Sequence, residues 1–220
     1  MRREMRFAVG LCLLAIVCSA APAALAQSDV VTIGAATRTG VLTFDVPVYV
    51  RDVSGTPLGI DQPSGSRIQS YSIKVNYTPS AAVQSITFTR AGITAPLTPI
   101  IELTPAAPGS VSLLDTFSEA TNLIPFTSNA AAPGNLIGHL VITFSPSATA
   151  GTIVSLNLDP VLTQLTDEGG TPATKETAGA GNLTLVNSSV TMPADIPAFD
   201  PRVVALLVVV LALVAVKLRA

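Results

Sequence analysis

Few side chains in this 220-residue chain could do chemistry, and their spacing restricts what that chemistry could be. The single histidine, His139, stands between Gly138 and Leu140 in an apolar run. Beyond residue 26 it has no second His and no Cys with which to complete a transition-metal site, so a structural or surface role is expected. Asp159, Asp167 and Glu168 fall in one candidate loop region and offer oxygens to a hard cation. Calcium requires six or more oxygens, and this spacing matches no compact loop motif, so solvated turn carboxylates are the expectation. Carboxylate pairs for glycoside hydrolysis meet in space rather than in sequence, but a chain with no Trp and three Tyr is poorly supplied for a sugar cleft. No Gly-x-Ser-x-Gly elbow, phosphate loop or dinucleotide fingerprint is present. The inventory therefore points to a chain with no catalytic residues, no metal and no cofactor, and to binding as the class of function.

The elements that must carry such a binding surface alternate with period two. In residues 69–77, Tyr71, Ile73, Val75 and Tyr77 fall on one face, with Ser70, Ser72, Lys74 and Asn76 on the other, the pattern of a half-buried antiparallel strand. In residues 42–52, Phe44, Val46, Val48 and Val50 form one face and Asp45, Pro47, Tyr49 and Arg51 the other. Pro47 cannot donate to a ladder, which predicts an edge strand or a proline on an unpaired side. Further strands are expected over 83–89, 100–103, 110–114, 136–144, 152–158, 182–186 and 189–192, separated by segments rich in Pro, Gly, Ser and Asn, including a long glycine-rich turn over 167–181. Eight or nine short strands predict an all-β, antiparallel sandwich of jelly-roll type over 27–192, with a closed barrel as the alternative.

The two ends read differently. Arg2, Arg3 and Arg6, an apolar run over 7–17 and Ala24-Leu25-Ala26 before Gln27 have the form of a secretion signal, with cleavage expected between Ala26 and Gln27. Both cysteines, Cys12 and Cys18, lie within it, so the secreted portion would have no disulfide and depend on packing alone. At the far end, Val203 to Val216 are fourteen consecutive apolar residues followed by the basic pair Lys217 and Arg219. As a helix this core spans about 21 Å, and the basic residues can snorkel to extend it across a bilayer. They would remain cytoplasmic, leaving the middle of the chain outside. Residues 193–202, with three prolines, suit a stalk. Between residues 27 and 195, six basic against twelve acidic side chains give a formal charge of −6, which argues against nucleic acid as a partner.

Two resemblances follow from these residues. Ile196-Pro197, the apolar helix over 203–216 and the closing basic cluster resemble the C-terminal sorting tails of bacterial envelope proteins, in the class beginning Ile-Pro-Thr-Leu. Here Ala198 and Phe199 replace Thr-Leu, and Arg202-Val203 occupies the place of the usual Trp-Gly. The resemblance implies a tail that a sorting enzyme processes, whereas the residues alone fit equally a plain single-pass anchor. Across 30–192, the opening Val-rich strand, Tyr77-Thr78-Pro79, Gly138-His139-Leu140 and Ala150-Gly151-Thr152 resemble the cohesin family of the carbohydrate-binding-module superfamily. That likeness implies a β-sandwich that assembles surface complexes. A surface protein, dockerin-like or other, ranks ahead of polysaccharide as the expected partner, because Tyr49 alone of the tyrosines falls on an outward face. Tyr49 and Arg51 are the residues the sequence offers as a binding surface, at the bacterial envelope.

Overall fold

The computed structural model describes residues 27–118, 123–167 and 174–194. The expected signal ending at Ala26, the sorting motif Ile196-Pro197, the span Val203 to Val216, the basic pair Lys217 and Arg219, and Glu168 lie outside the described residues. Gln27 is the first residue described, and it is exposed. Among the described residues no helix is long and apolar enough to cross a membrane.

Among the described residues, fourteen strands form two sheets packed face to face. In chain order they are β1 (Asp29–Ile33), β2 (Thr37–Arg38), β3 (Thr43–Arg51), β4 (Ser70–Thr78), β5 (Val83–Arg90), β6 (Ile101–Leu103), β7 (Ala106–Ala107), β8 (Ser110–Thr116), β9 (Asn135–Phe144), β10 (Ile153–Leu158), β11 (Gln164–Thr166), β12 (Lys175–Thr177), β13 (Leu183–Val186) and β14 (Ser188–Thr191). The six-stranded sheet runs β13-β1-β3-β9-β5, with β2 on β3. In the eight-stranded sheet β4 is central, pairing with β8 along one side and with β11 and then β10 along the other, while β12 and β14 extend it and β6 and β7 flank β8. Each pairing of these strands is antiparallel except β1 with β13, which run parallel and correct the purely antiparallel expectation.

The expected alternation is what closes the sandwich. Phe44, Val46, Val48 and Val50 of β3 and Tyr71, Ile73, Val75 and Tyr77 of β4 all point inward and are buried. They meet Leu113 of β8, Leu140 and Ile142 of β9 and Leu156 of β10 in one core. Each such aliphatic side chain withdrawn from water contributes about 1.5–3 kcal/mol.

Of the two alternatives for Pro47, the edge strand fails and the unpaired side holds: its strand lies in the interior of its sheet, between β1 and β9. Pro47 falls just past the end of β1, opposite Gly34, whose N–H donates to the Pro47 carbonyl at 2.8 Å. The Gly34 carbonyl, which a residue other than proline would have bonded, accepts instead from the Ser188 hydroxyl at 2.9 Å. The stretch expected to be turn contains β12, and β11 precedes it. Both are three residues long, too short for an alternation to register in the sequence.

Inside the sandwich several positions of apolar phase are polar. Asp115 of β8 is buried and accepts from the Tyr71 hydroxyl at 2.6 Å; burial pushes its carboxyl up to about 6 despite that bond. Asp29, Asp52 and Glu176 are also buried, at the end where residues 53–60 cross from one sheet to the other.

Tyr71→Phe removes the hydroxyl bonded to the Asp115 carboxylate and is expected to cost about 1–3 kcal/mol in urea unfolding at neutral pH. Gly138→Ala would place a methyl 2.8 Å from the Phe88 ring and 2.9 Å from the Thr89 carbonyl oxygen. Because that backbone cannot yield without breaking the β5–β9 ladder, the same measurement should show a loss of about 1–3 kcal/mol. An unchanged unfolding midpoint in either variant would contradict the packing described.

Candidate protein-binding face

The outer face of the eight-stranded sheet presents the most extended surface with a distinctive composition. The outward phase of β4 supplies Ser70, Ser72, Lys74, Asn76 and Thr78; facing them across the register are Thr116, Leu114, Ser112 and Ser110 of β8. On the other side of β4, Ser155 pairs with Thr78 and Asn157 with Asn76. The result is a field of small polar side chains, bounded by aliphatic ones. Ile101 and Leu103 of β6 stand opposite Thr116 and Leu114 and are 45% and 56% exposed, and Ile153 of β10 is 57% exposed. An exposed aliphatic group is ordinary singly, but a bounded set on one sheet face makes that face a candidate contact surface.

A second device displays apolar groups beside this field. In the turn from β10 to β11, the Asp159 carboxylate accepts the Val161 and Leu162 N–H groups, both at 3.0 Å, through Oδ1. Its Oδ2 accepts from Asn76 at 3.2 Å and lies 3.7 Å from Lys74 Nζ. Partial desolvation opposes ionisation, yet the Leu162, Asn76 and Val161 hydrogen bonds and the Lys74 charge together hold the carboxyl below its ordinary range. Asp159 therefore stays charged at neutral pH and fixes a turn that leaves Val161 75% and Leu162 48% exposed. It is a structural cap tied to the sheet face, more than the solvated turn carboxylate that the sequence suggested.

The other residues singled out by the sequence are dispersed. Tyr49 and Arg51 lie on the outward phase of β3, on the opposite sheet, and both are half-buried. The Tyr49 ring lies across Gly34, where an added methyl would come within 2.9 Å of it. His139 is on the same outer face, its Nδ1 2.8 Å from both Asp45 carboxylate oxygens. Asp167 is buried and accepts the Thr174 N–H, far in function from a cation loop. Tyr71 and Tyr77 are in the core, as the alternation required. Among the described residues, no aromatic ring joins the outward residues of β4, β8 and β10.

Two grooves run along the free edge of β5, where the sandwich opens toward β6–β8. One is floored by Ile86, Phe88 and Val111, and its carboxylate, Glu102, is paired with Arg90 at 3.4 Å. The other is lined by Tyr77, Val83 and Ala106 with serines and no acid. The apolar members of the outer face were in the sequence, at Ile101, Leu103, Val161 and Leu162. What the sequence lacked was the pairing that brings strands from three separate regions onto one surface.

No protein-family model matches this chain, and no curated protein matches it in sequence. The likeness lies in shape. The third cohesin of ScaC from Acetivibrio cellulolyticus, solved in complex with the ScaB dockerin, superposes with a TM-score of 0.50 at 17% identity, over 76% of this chain and 99% of that one. CaCohA2 in its complex with a variant of CaDoc0917 gives 0.50 at 16% identity, over 74% and 99%. The solution structure of CaCohA2 from Clostridium acetobutylicum gives 0.50 at 16%, over 78% and 94%. At such identities the likeness is one of fold, and the domain is an all-β sandwich with a cohesin-like fold.

Proposed function

We propose that this chain is a non-catalytic binding module that holds a protein partner against the outer face of its eight-stranded sheet. The observation that carries the reading is the make-up of that face: small polar side chains, no aromatic platform among the described residues, and exposed Ile101, Leu103, Ile153, Val161 and Leu162 around the margin. Sugar rings are recognised largely by stacking on aromatic faces, whereas aliphatic side chains bounded by polar ones suit a protein surface. The cohesin-like fold supports the same reading, since the ScaC cohesin was solved bound to a dockerin. A dockerin-like partner is thus the first to test.

The proposal extends to location. The signal-like residues 1–26 and the tail over 196–219 support export and retention at the bacterial envelope, by an anchor or by a sorting signal of the Ile-Pro class. The acidic middle would then face outward.

Leu103→Asp together with Leu162→Asp is expected to weaken capture of the native partner at least tenfold while leaving the unfolding temperature within a degree or two of the parent, since both side chains are already in water. Partner capture is read by affinity enrichment from the host envelope fraction, then surface plasmon resonance on the enriched protein. Unchanged binding would remove this face from consideration, and glycan binding lost in Tyr49→Ala would move it to the opposite sheet. Intact-mass analysis of the protein from its host decides the tail: retention of residues 198–220 with membrane partition means an anchor, and their loss means a processed sorting signal.

A further inference from the structure

At one end of the sandwich three carboxylates occupy positions that the strand alternation reserves for apolar groups. Asp29 stands in phase with Val31 and Ile33 of β1; Asp52 continues Val46, Val48 and Val50 of β3. Glu176 lies opposite Leu165 in the facing sheet and is buried like it. All three have no solvent exposure.

Each carboxylate spends one oxygen on the segment that caps this end. Asp29 Oδ1 accepts the Val53 N–H at 2.8 Å and the Thr56 hydroxyl at 3.1 Å. Glu176 Oε1 accepts the Leu58 N–H at 2.9 Å, and Asp52 Oδ2 accepts the Ile60 N–H at 2.8 Å. The second oxygens, Asp29 Oδ2, Asp52 Oδ1 and Glu176 Oε2, receive no N–H or hydroxyl from any described group. Asp29 and Glu176 converge on one short segment: the Thr56 hydroxyl is 3.1 Å from Asp29 Oδ1 and 2.6 Å from the Leu58 carbonyl oxygen, and the Leu58 N–H donates to Glu176. Two acceptors cannot face each other in a dry interior unless something positive stands between them.

The surroundings bring no such charge. The ion pairs among the described residues are Lys74–Asp159, Arg90–Glu102 and His139–Asp45, all elsewhere. The titratable groups that face the pair are Asp52 at the end of β3 and, behind it, the exposed Asp61 of the capping segment; both are acids and repel further negative charge. Arg51 and Lys175 adjoin the cluster in sequence but belong to the outward phase of their strands. Leu183 of β13 and Leu165 of β11, the strand partners of Asp29 and Glu176, are uncharged. No three acid or imidazole side chains among the described residues are grouped to hold a metal ion.

We infer that Asp29 and Glu176 share one proton, and that this proton is the bond that joins the two sheets and seats residues 53–60 at this end of the sandwich. The electrostatics agree: burial first, then the Asp29 charge, push the Glu176 carboxyl far up, to about 9, and burial raises Asp29 as well. A carboxyl raised in the folded state binds its proton in the native protein when the unfolded chain has already lost it. Stability from this joint is therefore complete below the ordinary carboxylate range and declines as pH rises toward about 9. Above that, two adjoining anions would push β1 and β12 apart and free the capping segment.

The test is thermal unfolding of the purified full-length chain in EDTA, from pH 5 to pH 9, compared with Glu176→Gln. The amide keeps an oxygen for the Leu58 N–H and brings its own N–H for Asp29, so it imitates the protonated acid at every pH. The parent should lose about 3 °C per pH unit across the window, with the variant matching it at pH 5 and exceeding it at pH 9. Parallel profiles would overturn the proposal. So would calcium that restores the parent at pH 9 without affecting the variant, since a cation would then be the bridge. If Glu176→Gln fails to fold, Asp29→Asn gives the same comparison. The carboxyl carbon of Glu176 in labelled parent protein decides independently of any variant: a titration midpoint well above neutrality is expected, and one in the ordinary carboxylate range refutes it.

Discussion

The packing of aliphatic side chains between two sheets is the interaction on which this molecule depends. It has no Trp and no cysteine outside the first 26 residues, so no disulfide shares the task, and the few rings it has, Phe44, Tyr71, Phe88, Phe117 and Phe144 among them, are set among aliphatic side chains. Val46, Val48, Val50, Ile73, Val75, Leu113, Leu140, Ile142 and Leu156 make up most of the contact between the layers, interlocking at close packing. A core of such pieces tolerates no loss of register, because a one-residue slip would turn every one of them to water. That is why the alternation is so regular in β3 and β4, the strands with neighbours on both sides.

The same constraint explains the polar groups within. At the end of the sandwich capped by residues 53–60, the inward phase of β1, β3 and β12 is occupied by acids. Asp29, Asp52 and Glu176 take backbone N–H groups from a segment that belongs to no sheet and would otherwise leave those donors unpaired. Asp115 plays a comparable part against Tyr71. Interior polarity is thus a means of closing the layers where β-pairing cannot.

The face we propose for a partner contrasts with this interior. The outer face of the eight-stranded sheet carries aliphatic groups that no part of the described chain covers, with Asp159 expended on holding two of them in water. On the opposite face Tyr49 lies over Gly34 and His139 is bonded to Asp45.

Much of this could be read from residues alone. The two long alternating strands, their buried faces and the sandwich class are properties of local periodicity and turn chemistry, which a chain carries along its length; the cohesin likeness rests on short motifs that resemble a known family. The core tyrosines followed from the same phase, and the anomaly of acids in that phase at Asp29 and Asp52 was present but masked, since a single acid at a strand end also reads as a turn. Short strands were not legible, because three residues cannot establish a period. Pro47 left two placements open, because whether its missing donor matters depends on where a neighbouring strand ends. Cross-sheet relations are the decisive class: that Glu176 meets Asp29, that β6, β8, β4 and β10 share one face, and that Val161 and Leu162 stand beside Lys74 are set by which strands pair. The sequence by itself determined which side of each strand is apolar; only the tertiary structure decided what those sides meet, since pairing is chosen by the packing of distant segments against one another.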